Sequence, residues 1–307
     1  MIWLATTLTQ AQTNVQQPPN VEQQIVKLNV LVTDASKHPV ADVRQEEFRV
    51  FENNVPQTIS FFSKEELPLL YGIAIDNSGS FRSVIQPVIN AAKAIINQNK
   101  PGDETLLIRF IDSEKVETVK DFTSDKEVLS KALDSLYIEG GQTALIDAVY
   151  LTAQRLSKYK KDDGVNRRRA IILMTDGEER GSYYKKDQLF ELLRKENIQI
   201  FIVAIVNVLS DEGGQIRLSP REQATNFVNS LAKESGGFAF FPKSKTELQN
   251  IADQLMLYLR TQYIIGYVPT GQKGQKPLHK VDVKLADAPE RKKQTVATRP
   301  GYIVSPK

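Results

Sequence analysis

Continuous apolar runs, separated by segments whose apolar residues have helical spacing, constrain the fold of this chain more than any other feature. The runs are Leu69–Ile75, Leu106–Ile111, Ala170–Thr175 and Ile198–Val206. A strand that is apolar along its whole length is typical of a sheet covered on both faces. Strands that alternate with helices predict a mainly parallel sheet with helices on both faces. We therefore expect an α/β, doubly wound (Rossmann-like) domain over residues 67–261.

The segments on either side of this region show the alternation of half-buried strands instead. Ile25–Asp34 alternates apolar and polar residues, and short strand-like runs follow it. Beyond the α/β region, strand-like runs return at Tyr263–Val268, His279–Leu285 and Thr295–Val304. Neither flank has enough strands to bury a core alone. We expect residues 25–66 and 262–307 to pair into one small all-β sandwich, into which the α/β domain is inserted.

The N-terminal residues 1–24 differ from both regions in composition. Residues 1–21 carry no charged side chain, and the short apolar stretch Met1–Leu8 is followed by Thr9-Gln10-Ala11. This order resembles the end of a secretory signal peptide, although no Lys or Arg precedes the apolar part. The Gln- and Pro-rich residues 10–24 are typical of a disordered linker. We therefore expect an exported, periplasmic or extracellular protein, in which residues 1–24 are either a signal-peptide remnant with its linker or only a disordered tail.

Composition excludes several kinds of site. The chain of 307 residues has no cysteine and only two histidines, His38 and His279. Cysteine-based metal sites and disulfides are therefore excluded, and a bound metal must take oxygen ligands, which favours Mg²⁺, Mn²⁺ or Ca²⁺. With 40 basic and 37 acidic residues, the net charge of +3 does not indicate a nucleic-acid partner. No stretch approaches the roughly 18 apolar residues of a membrane-spanning helix.

Polar side chains follow two of the apolar strands where these strands end. The first strand leads into Asp76-Asn77-Ser78-Gly79-Ser80, and the third leads into Asp176-Gly177. Thr143 stands where a helix is expected to begin, as its N-cap. Because parallel strands end at the edge of the sheet where their helices begin, these groups can lie together. Two carboxylates and three hydroxyls suit a hard divalent cation such as Mg²⁺, although each hydroxyl alone could be a simple helix cap.

The same residues carry a resemblance to a known family. Asp76-x-Ser78-x-Ser80, Thr143 and Asp176 resemble the three parts of the metal-ion-dependent adhesion site (MIDAS) of von Willebrand factor A domains. The resemblance implies an A-domain fold over roughly 68–260, a Mg²⁺ held by these five residues, and binding of a protein ligand through an acidic residue of the partner. The flanks resemble a bacterial, often exported subgroup of the family through Val32–Asp34, Phe48–Asn53, Tyr263–Tyr267 and Arg299–Tyr302.

Several neighbouring residues are expected around the ion. They are Asn77, Gly141, Asp147, Gly177 and Glu178. Asp147, one helical turn after Thr143, either supports the site or is a solvated helix residue. Glu178 and Glu179 either form the rim of the site or are exposed loop acids.

Two basic runs, Lys158–Lys161 and Arg167–Arg169, bracket the loop before the third strand. Strand starts lie at the edge of a parallel sheet opposite to the strand ends. We therefore expect these runs on the far side from the metal, either as a solvated surface or as a second contact site.

These observations together predict a binding protein that captures a partner's carboxylate through the metal, and not an enzyme. Neither histidine is expected near the site, so a Ser-His-Asp arrangement is not expected, and the sequence has neither a Gly-x-Ser-x-Gly elbow nor a P-loop. One alternative is a structural module of a cell-envelope assembly, whose metal only stabilises the fold. Another is a Mg²⁺-dependent aspartyl phosphatase with Asp76 as nucleophile, which would want a carboxylate where Ser78 stands.

Overall fold

A computed structural model describes residues 25–160, 163–214, 218–270 and 278–303. The predicted signal segment and linker, residues 1–24, lie outside the described residues. In chain order the strands are β1 (Val26–Thr33), β2 (Phe48–Glu52), β3 (Val55–Gln57), β4 (Ile59–Ser63), β5 (Leu69–Asp76), β6 (Glu104–Phe110), β7 (Val116–Thr123), β8 (Arg168–Thr175), β9 (Gln199–Ala204), β10 (Phe238–Phe240), β11 (Tyr263–Tyr267), β12 (Leu278–Leu285), β13 (Thr295–Ala297) and β14 (Gly301–Ile303). The α-helices are α1 (Ile85–Asn97), α2 (Lys126–Asp134), α3 (Leu145–Lys158), α4 (Lys186–Glu196), α5 (Pro220–Ser235) and α6 (Lys245–Arg260).

The central sheet has six strands in the order β10-β9-β8-β5-β6-β7. Its neighbouring strands are parallel, except that β7 is antiparallel to β6. Every residue of β5 is buried, and successive side chains point to opposite faces. Tyr71, Ile73 and Ile75 pack with α1, α2 and α6, whereas Leu70 and Ala74 pack with α3, α4 and α5. The predicted doubly wound sheet with helices on both faces is confirmed.

The two flanks of the chain interleave in two four-stranded sheets, ordered β13-β1-β11-β4 and β14-β12-β2-β3. In the first sheet β1 is antiparallel to β11, with Val26 opposite Tyr267. Apolar side chains of both sheets, such as Leu28 and Val283, share one core, so the flanks form the expected sandwich. The single strand predicted from Thr295 onward is instead two strands, because the chain leaves β1 after β13 and joins β12 as β14.

Close contacts join the sandwich to the α/β domain. Helix α6 is followed almost at once by β11, so the two domains share a continuous stretch of chain. Gly236 ends α5 in the left-handed conformation with φ of 73°, and a Cβ there would lie 2.3 Å from the backbone nitrogen of Arg299. Glycine is therefore required where the sandwich touches α5. Among the described helices, none has the length and apolarity to cross a bilayer.

Candidate metal centre

The loop after β5 brings three predicted ligands to one edge of the central sheet. Asp76 ends the strand and is fully buried, Ser78 is nearly so, and Ser80 is exposed. The backbone amide of Ser78 donates a hydrogen bond of 2.9 Å to Asp76 Oδ1, which folds the loop back over the strand end. The hydroxyl oxygens of Ser78 and Ser80 lie 3.1 Å apart.

Asp176, directly after β8, joins this cluster from the neighbouring strand. The Ser80 hydroxyl donates to Asp176 Oδ2 at 2.5 Å. Because β5 and β8 are adjacent and parallel, their last residues meet despite their distance in the sequence. Four of the five predicted ligands are therefore linked: Asp76 to Ser78, Ser78 to Ser80, and Ser80 to Asp176.

Sequence reasoning assigned no role to Thr175, which precedes Asp176. Its hydroxyl donates to Asp76 Oδ2 at 3.0 Å and accepts a hydrogen bond from the backbone amide of Gly177 at 3.0 Å. Thr175 thus orients one ligand and holds the turn that follows the other. A hydroxyl residue at the very end of a buried strand, next to a candidate ligand, was the signal in the sequence.

The electrostatics of the site favour a cation. Asp76 and Asp176 are both fully buried, and within the described ranges no Lys, Arg or His forms an ion pair with either of them. Burial, reinforced by the charge of Asp176, raises the pKa of Asp76 to about 7. Buried carboxylates are costly unless a positive charge compensates them. A divalent ion with oxygen ligands would supply that charge.

The donor set also bears on the kind of ion. No group of three or more Asp, Glu or His side chains that could hold a metal occurs in the described parts of the chain. A cation at this site would therefore rely on hydroxyl oxygens as well as on two carboxylates. Such a set of hard oxygen donors fits Mg²⁺, Mn²⁺ or Ca²⁺.

Thr143 lies on the loop before α3 and is buried. Its carbonyl accepts a hydrogen bond of 2.9 Å from the backbone amide of Arg180, which ties this loop to the loop after Asp176. Among the described residues, the Thr143 side chain makes no hydrogen bond to the other four predicted ligands. The prediction that Thr143 is the N-cap of α3 is wrong, because the N-cap is Ala144, which has no side-chain cap bond.

Residues far away in the sequence bind the free amides at the start of α3 instead. Glu179 accepts a hydrogen bond from the backbone of Ile146 at 2.8 Å, and the Ser182 hydroxyl accepts one from the backbone of Asp147 at 3.2 Å. The interpretation of Glu179 as an exposed loop acid is therefore wrong. The Thr143 hydroxyl is therefore not needed as a helix cap. It makes no hydrogen bond to any described residue, so it is available to bind a metal ion.

Asp147 is also not a solvated helix residue. It is buried, and its carboxylate accepts hydrogen bonds of 2.8 Å from the backbone amides of Tyr183 and Tyr184. The contacts between α3 and the loop after Asp176 are thus reciprocal, because each segment binds the backbone amides of the other. Asp147 therefore fixes the loop that follows Asp176.

The other predicted neighbours hold the surrounding loops. The Asn77 side chain donates to the carbonyl of Tyr137 at 2.8 Å, and a Cβ on Gly141 would lie 2.4 Å from Ile111. The Gly177 amide bonds Thr175, as described above. Glu178 pairs with Arg180, and its amide donates to Asp176 Oδ1 at 3.0 Å. Asn77 and Gly141 therefore shape the site at its edge, whereas Gly177 and Glu178 fix the turn after β8.

Comparisons with known proteins agree with this architecture. The family model of the von Willebrand factor type A domain matches residues 72–254. Among solved structures, a von Willebrand factor type A protein from Catenulispora acidiphila is 13% identical, covers 92% of this chain and 75% of that chain, and has a TM-score of 0.50. At that identity the likeness shows the fold alone. A comparison with curated proteins found no match.

Two further structures are each similar over about two thirds of this chain. An aerotolerance-related membrane protein from Bacteroides fragilis is 19% identical over 62% of this chain and 98% of that chain, with a TM-score of 0.47. Proximal thread matrix protein 1 from the mussel byssus, in a structure with a zinc-occupied MIDAS motif, is 19% identical over 66% of this chain and 48% of that chain, with a TM-score of 0.49.

The family match is the decisive comparison, because it covers more than half of the 307 residues. It spans the sheet from the middle of β5 to α6, including both strand ends that carry the acidic residues. Domains of this family typically take part in metal-dependent protein interactions. The chain therefore belongs to the von Willebrand factor type A domain family.

Proposed function

We propose that this protein is a metal-dependent binding module, which captures an acidic residue of a partner protein through a Mg²⁺ ion. One observation carries the proposal. The buried carboxylates Asp76 and Asp176 are linked through Ser78 and Ser80, and no described cationic side chain pairs with them. Mn²⁺ or Ca²⁺ would suit the same oxygen atoms. The typical use of A domains in metal-dependent protein interactions supports this function.

Each residue of the cluster would have its own task. Asp76 and Asp176 supply the negative charge that attracts the cation, while the hydroxyls of Ser78, Ser80 and Thr143 offer neutral oxygen atoms. The bound ion would supply a positive charge, and neutral hydroxyl ligands would compensate only part of it. The remaining positive charge would attract a carboxylate of the partner protein. Ser80 is exposed, so the side of the cluster that it forms is open to a partner.

We also propose that the protein is not an enzyme. His279 bonds Glu52 at 2.8 Å inside the sandwich, and His38 lies on an exposed turn before β2. Neither is placed to act as a base for Ser78 or Ser80, whose hydroxyls contact each other instead. Ser78 also stands where an aspartyl phosphatase would want its second carboxylate.

We place the protein outside the cytoplasm, as an exported protein. The support is the sequence pattern of residues 1–11, an apolar stretch followed by small residues. Fractionation of cells that produce the chain, with immunodetection in the periplasm or medium, tests this location.

The experiment for the binding function compares three immobilised proteins: wild type, Asp76→Ala and Asp187→Ala. Asp187 is an exposed acid in the first turn of α4 and serves as the matched control. Each is incubated with envelope extract in Mg²⁺ or in EDTA. We expect a partner to be retained by wild type and control only with Mg²⁺, to be lost with Asp76→Ala, and to be released by a glutamate-containing peptide more readily than by its glutamine analogue.

Other outcomes would contradict the proposal in distinct ways. Retention that survives EDTA would exclude capture through a metal. A large fall in melting temperature on metal removal, without any Mg²⁺-dependent partner, would favour a structural module. Turnover of p-nitrophenyl phosphate that requires Mg²⁺ and is lost in Asp76→Asn would favour a phosphatase.

A further inference from the structure

Two exposed tyrosines lie at the edge of the central sheet that carries the metal centre. Among the described residues, three aromatic side chains are more than a third exposed: Phe61 at 40%, Tyr137 at 56% and Tyr183 at 79%. Phe61 belongs to β4 of the sandwich, whereas both tyrosines lie on loops at the metal edge. Since single exposed aromatic residues are common on protein surfaces, the way in which the chain holds these two matters more than their exposure.

Tyr137 lies on the loop between α2 and α3, and its main chain is bonded to the metal loop. Its carbonyl accepts a hydrogen bond of 2.8 Å from the side chain of Asn77, which stands between Asp76 and Ser78. The buried Arg109 lies over its ring, with Cζ 4.3 Å from the ring centroid. Arg109 Nη2 also donates to the Tyr137 hydroxyl at 2.9 Å. Tyr137 is therefore held both at its main chain and at its ring.

Tyr183 lies on the loop between β8 and α4, which begins with Asp176. Its amide donates to Asp147 Oδ2 of α3 at 2.8 Å. Its ring meets the ring of Tyr184 edge to face, with the centroids 5.4 Å apart. Tyr184 in turn stacks on Tyr150 of α3, with the centroids 3.8 Å apart. Other aromatic rings therefore support Tyr183 on one side, while most of its surface remains in solvent.

The two tyrosines reach the metal edge from opposite faces of the central sheet. Helix α2, which precedes Tyr137, packs with Ile73 on one face of β5. Helix α3, to which Tyr183 is bonded, packs with Ala74 on the other face. The acidic cluster lies between these faces, at the ends of β5 and β8. The two tyrosines therefore flank the metal centre, one from each side of the sheet.

Capture of a carboxylate by the metal is not enough for a specific partner. The affinity of a small ligand is bounded by its number of heavy atoms, so the three heavy atoms of a carboxylate reach a dissociation constant of about 0.5 mM at best. Further contacts must come from the surface around the ion. Tyrosine suits this task, because it offers a large ring with only two side-chain torsions to immobilise. The bonded main chains of Tyr137 and Tyr183 reduce the cost of ordering further.

We propose that Tyr137 and Tyr183 form an aromatic rim, which binds apolar side chains of the partner on either side of the captured acidic residue. The partner surface is then a peptide segment in which one Asp or Glu is flanked by apolar residues such as Leu or Phe. Apolar neighbours fit best, since burial of apolar surface against the exposed rings is what stabilises such a contact. This inference rests on the proposed metal-dependent capture, and it adds the residues that select the partner.

The test is selection from a random dodecapeptide library displayed on phage. The full chain is immobilised in Mg²⁺, and bound phage are eluted with EDTA and sequenced. We expect wild type to select peptides that carry an Asp or Glu with apolar residues on both sides. Selections on Tyr137→Ser and Tyr183→Ser should keep the acidic residue, and each should lose the apolar preference on one side.

Fluorescence anisotropy then measures the affinity of the most enriched peptide. We expect Tyr137→Ser and Tyr183→Ser each to weaken binding about tenfold, as is typical of an aromatic residue that dominates an interface. The peptide with its apolar residues changed to Ser should lose affinity to a similar extent. Phe61→Ser removes the exposed ring of the sandwich and serves as the matched control, which should bind like wild type. Circular dichroism verifies that each variant is folded.

Failure of this inference is distinguishable from failure of the proposed function. Selected peptides without an acidic residue, or phage that EDTA does not release, would contradict capture through the metal and the rim with it. Acidic peptides that EDTA releases but that show no apolar preference would contradict the aromatic rim alone. Unchanged affinity in both tyrosine variants, or an equal loss in Phe61→Ser, would also overturn the rim.

Discussion

The two edges of the central sheet carry buried charges of opposite sign, and the contrast between them explains much of the molecule. Where the strands end, Asp76 and Asp176 lie together without a cation among the described residues. Where they begin, Arg168 is buried without a counter-ion. In the sandwich, by contrast, the buried Arg291 bonds Glu47 at 2.8 Å. Arg291 therefore has its partner within the protein, whereas Asp76, Asp176 and Arg168 form no ion pair with any described residue.

The largest expected effect is at the acidic edge. Asp176→Ala removes one of two buried carboxylates, and we expect Mg²⁺ affinity to fall more than about 100-fold, since no other described acid joins the cluster. Titration calorimetry with Mg²⁺ and Mn²⁺ measures this loss, and Asp187→Ala is the control that should leave affinity unchanged. Equal affinity in Asp176→Ala and wild type would show that this edge holds no metal.

A matched pair of arginine substitutions compares paired with unpaired charge. Arg291→Met leaves Glu47 buried without its main partner, and we expect a loss of about 3 kcal/mol in the free energy of unfolding. Arg168→Met removes a charge that already lacks a counter-ion, and we expect a change within about 1 kcal/mol. Urea unfolding of both variants measures the difference. Similar losses in the two variants would mean that the Arg168 charge is compensated in the protein.

The acidic edge also predicts how stability depends on pH without metal. The pKa of Asp76 is raised from 3.8 to about 7, so the folded state keeps a proton that the unfolded chain releases. The contribution of Asp76 to stability should be fully present below pH 3.8, and it should fall by roughly 3 to 4 kcal/mol as the pH rises to 7, at 1.36 kcal/mol per pKa unit. Thermal unfolding in EDTA from pH 4.5 to 7.5 measures this decline.

One control variant accompanies the pH series. Asp76→Asn cannot titrate at this position, so its decline should be smaller than that of wild type. The ion pair between Glu47 and Arg291 does not interfere with this measurement. The pKa of Glu47 is lowered to about 2, so the contribution of the pair to stability is lost only as the pH falls below about 4.5. Identical slopes for wild type and Asp76→Asn would contradict the raised pKa.

The smallest expected effect concerns the support of the metal centre. Asp147→Asn weakens the two hydrogen bonds that hold the backbone of Tyr183 and Tyr184, and we expect Mg²⁺ affinity to fall about tenfold while the fold is retained. Calorimetry and circular dichroism measure the two properties. An unchanged affinity would show that the loop after Asp176 does not position the ligands.

The sequence predicted the sheet, the sandwich and the clustering of Asp76, Ser78, Ser80 and Asp176, because each depends on periodicity or on the position of a residue at a strand end. It did not predict the capping of α3, since the cap comes from Glu179, which lies 33 residues after Ile146. Capping rules consider only residues next to the helix in the sequence, and they therefore assigned the N-cap of α3 to Thr143. The burial of Arg168 was missed for a related reason. A basic run indicates exposure to solvent, but here the guanidinium lies against the end of α6, where it donates to the carbonyl of Leu259.

The interleaved sandwich has a consequence for the order in which the protein folds. Strand β1 is antiparallel to β11, with Val26 opposite Tyr267, so the first strands leave the ribosome long before their partners exist. The α/β domain lies between them as one contiguous segment and can complete its own core first. Until β11 to β14 arrive, β1 and β2 expose unpaired edges, which are prone to aggregation. The sandwich therefore cannot close until β11 to β14 have been synthesised.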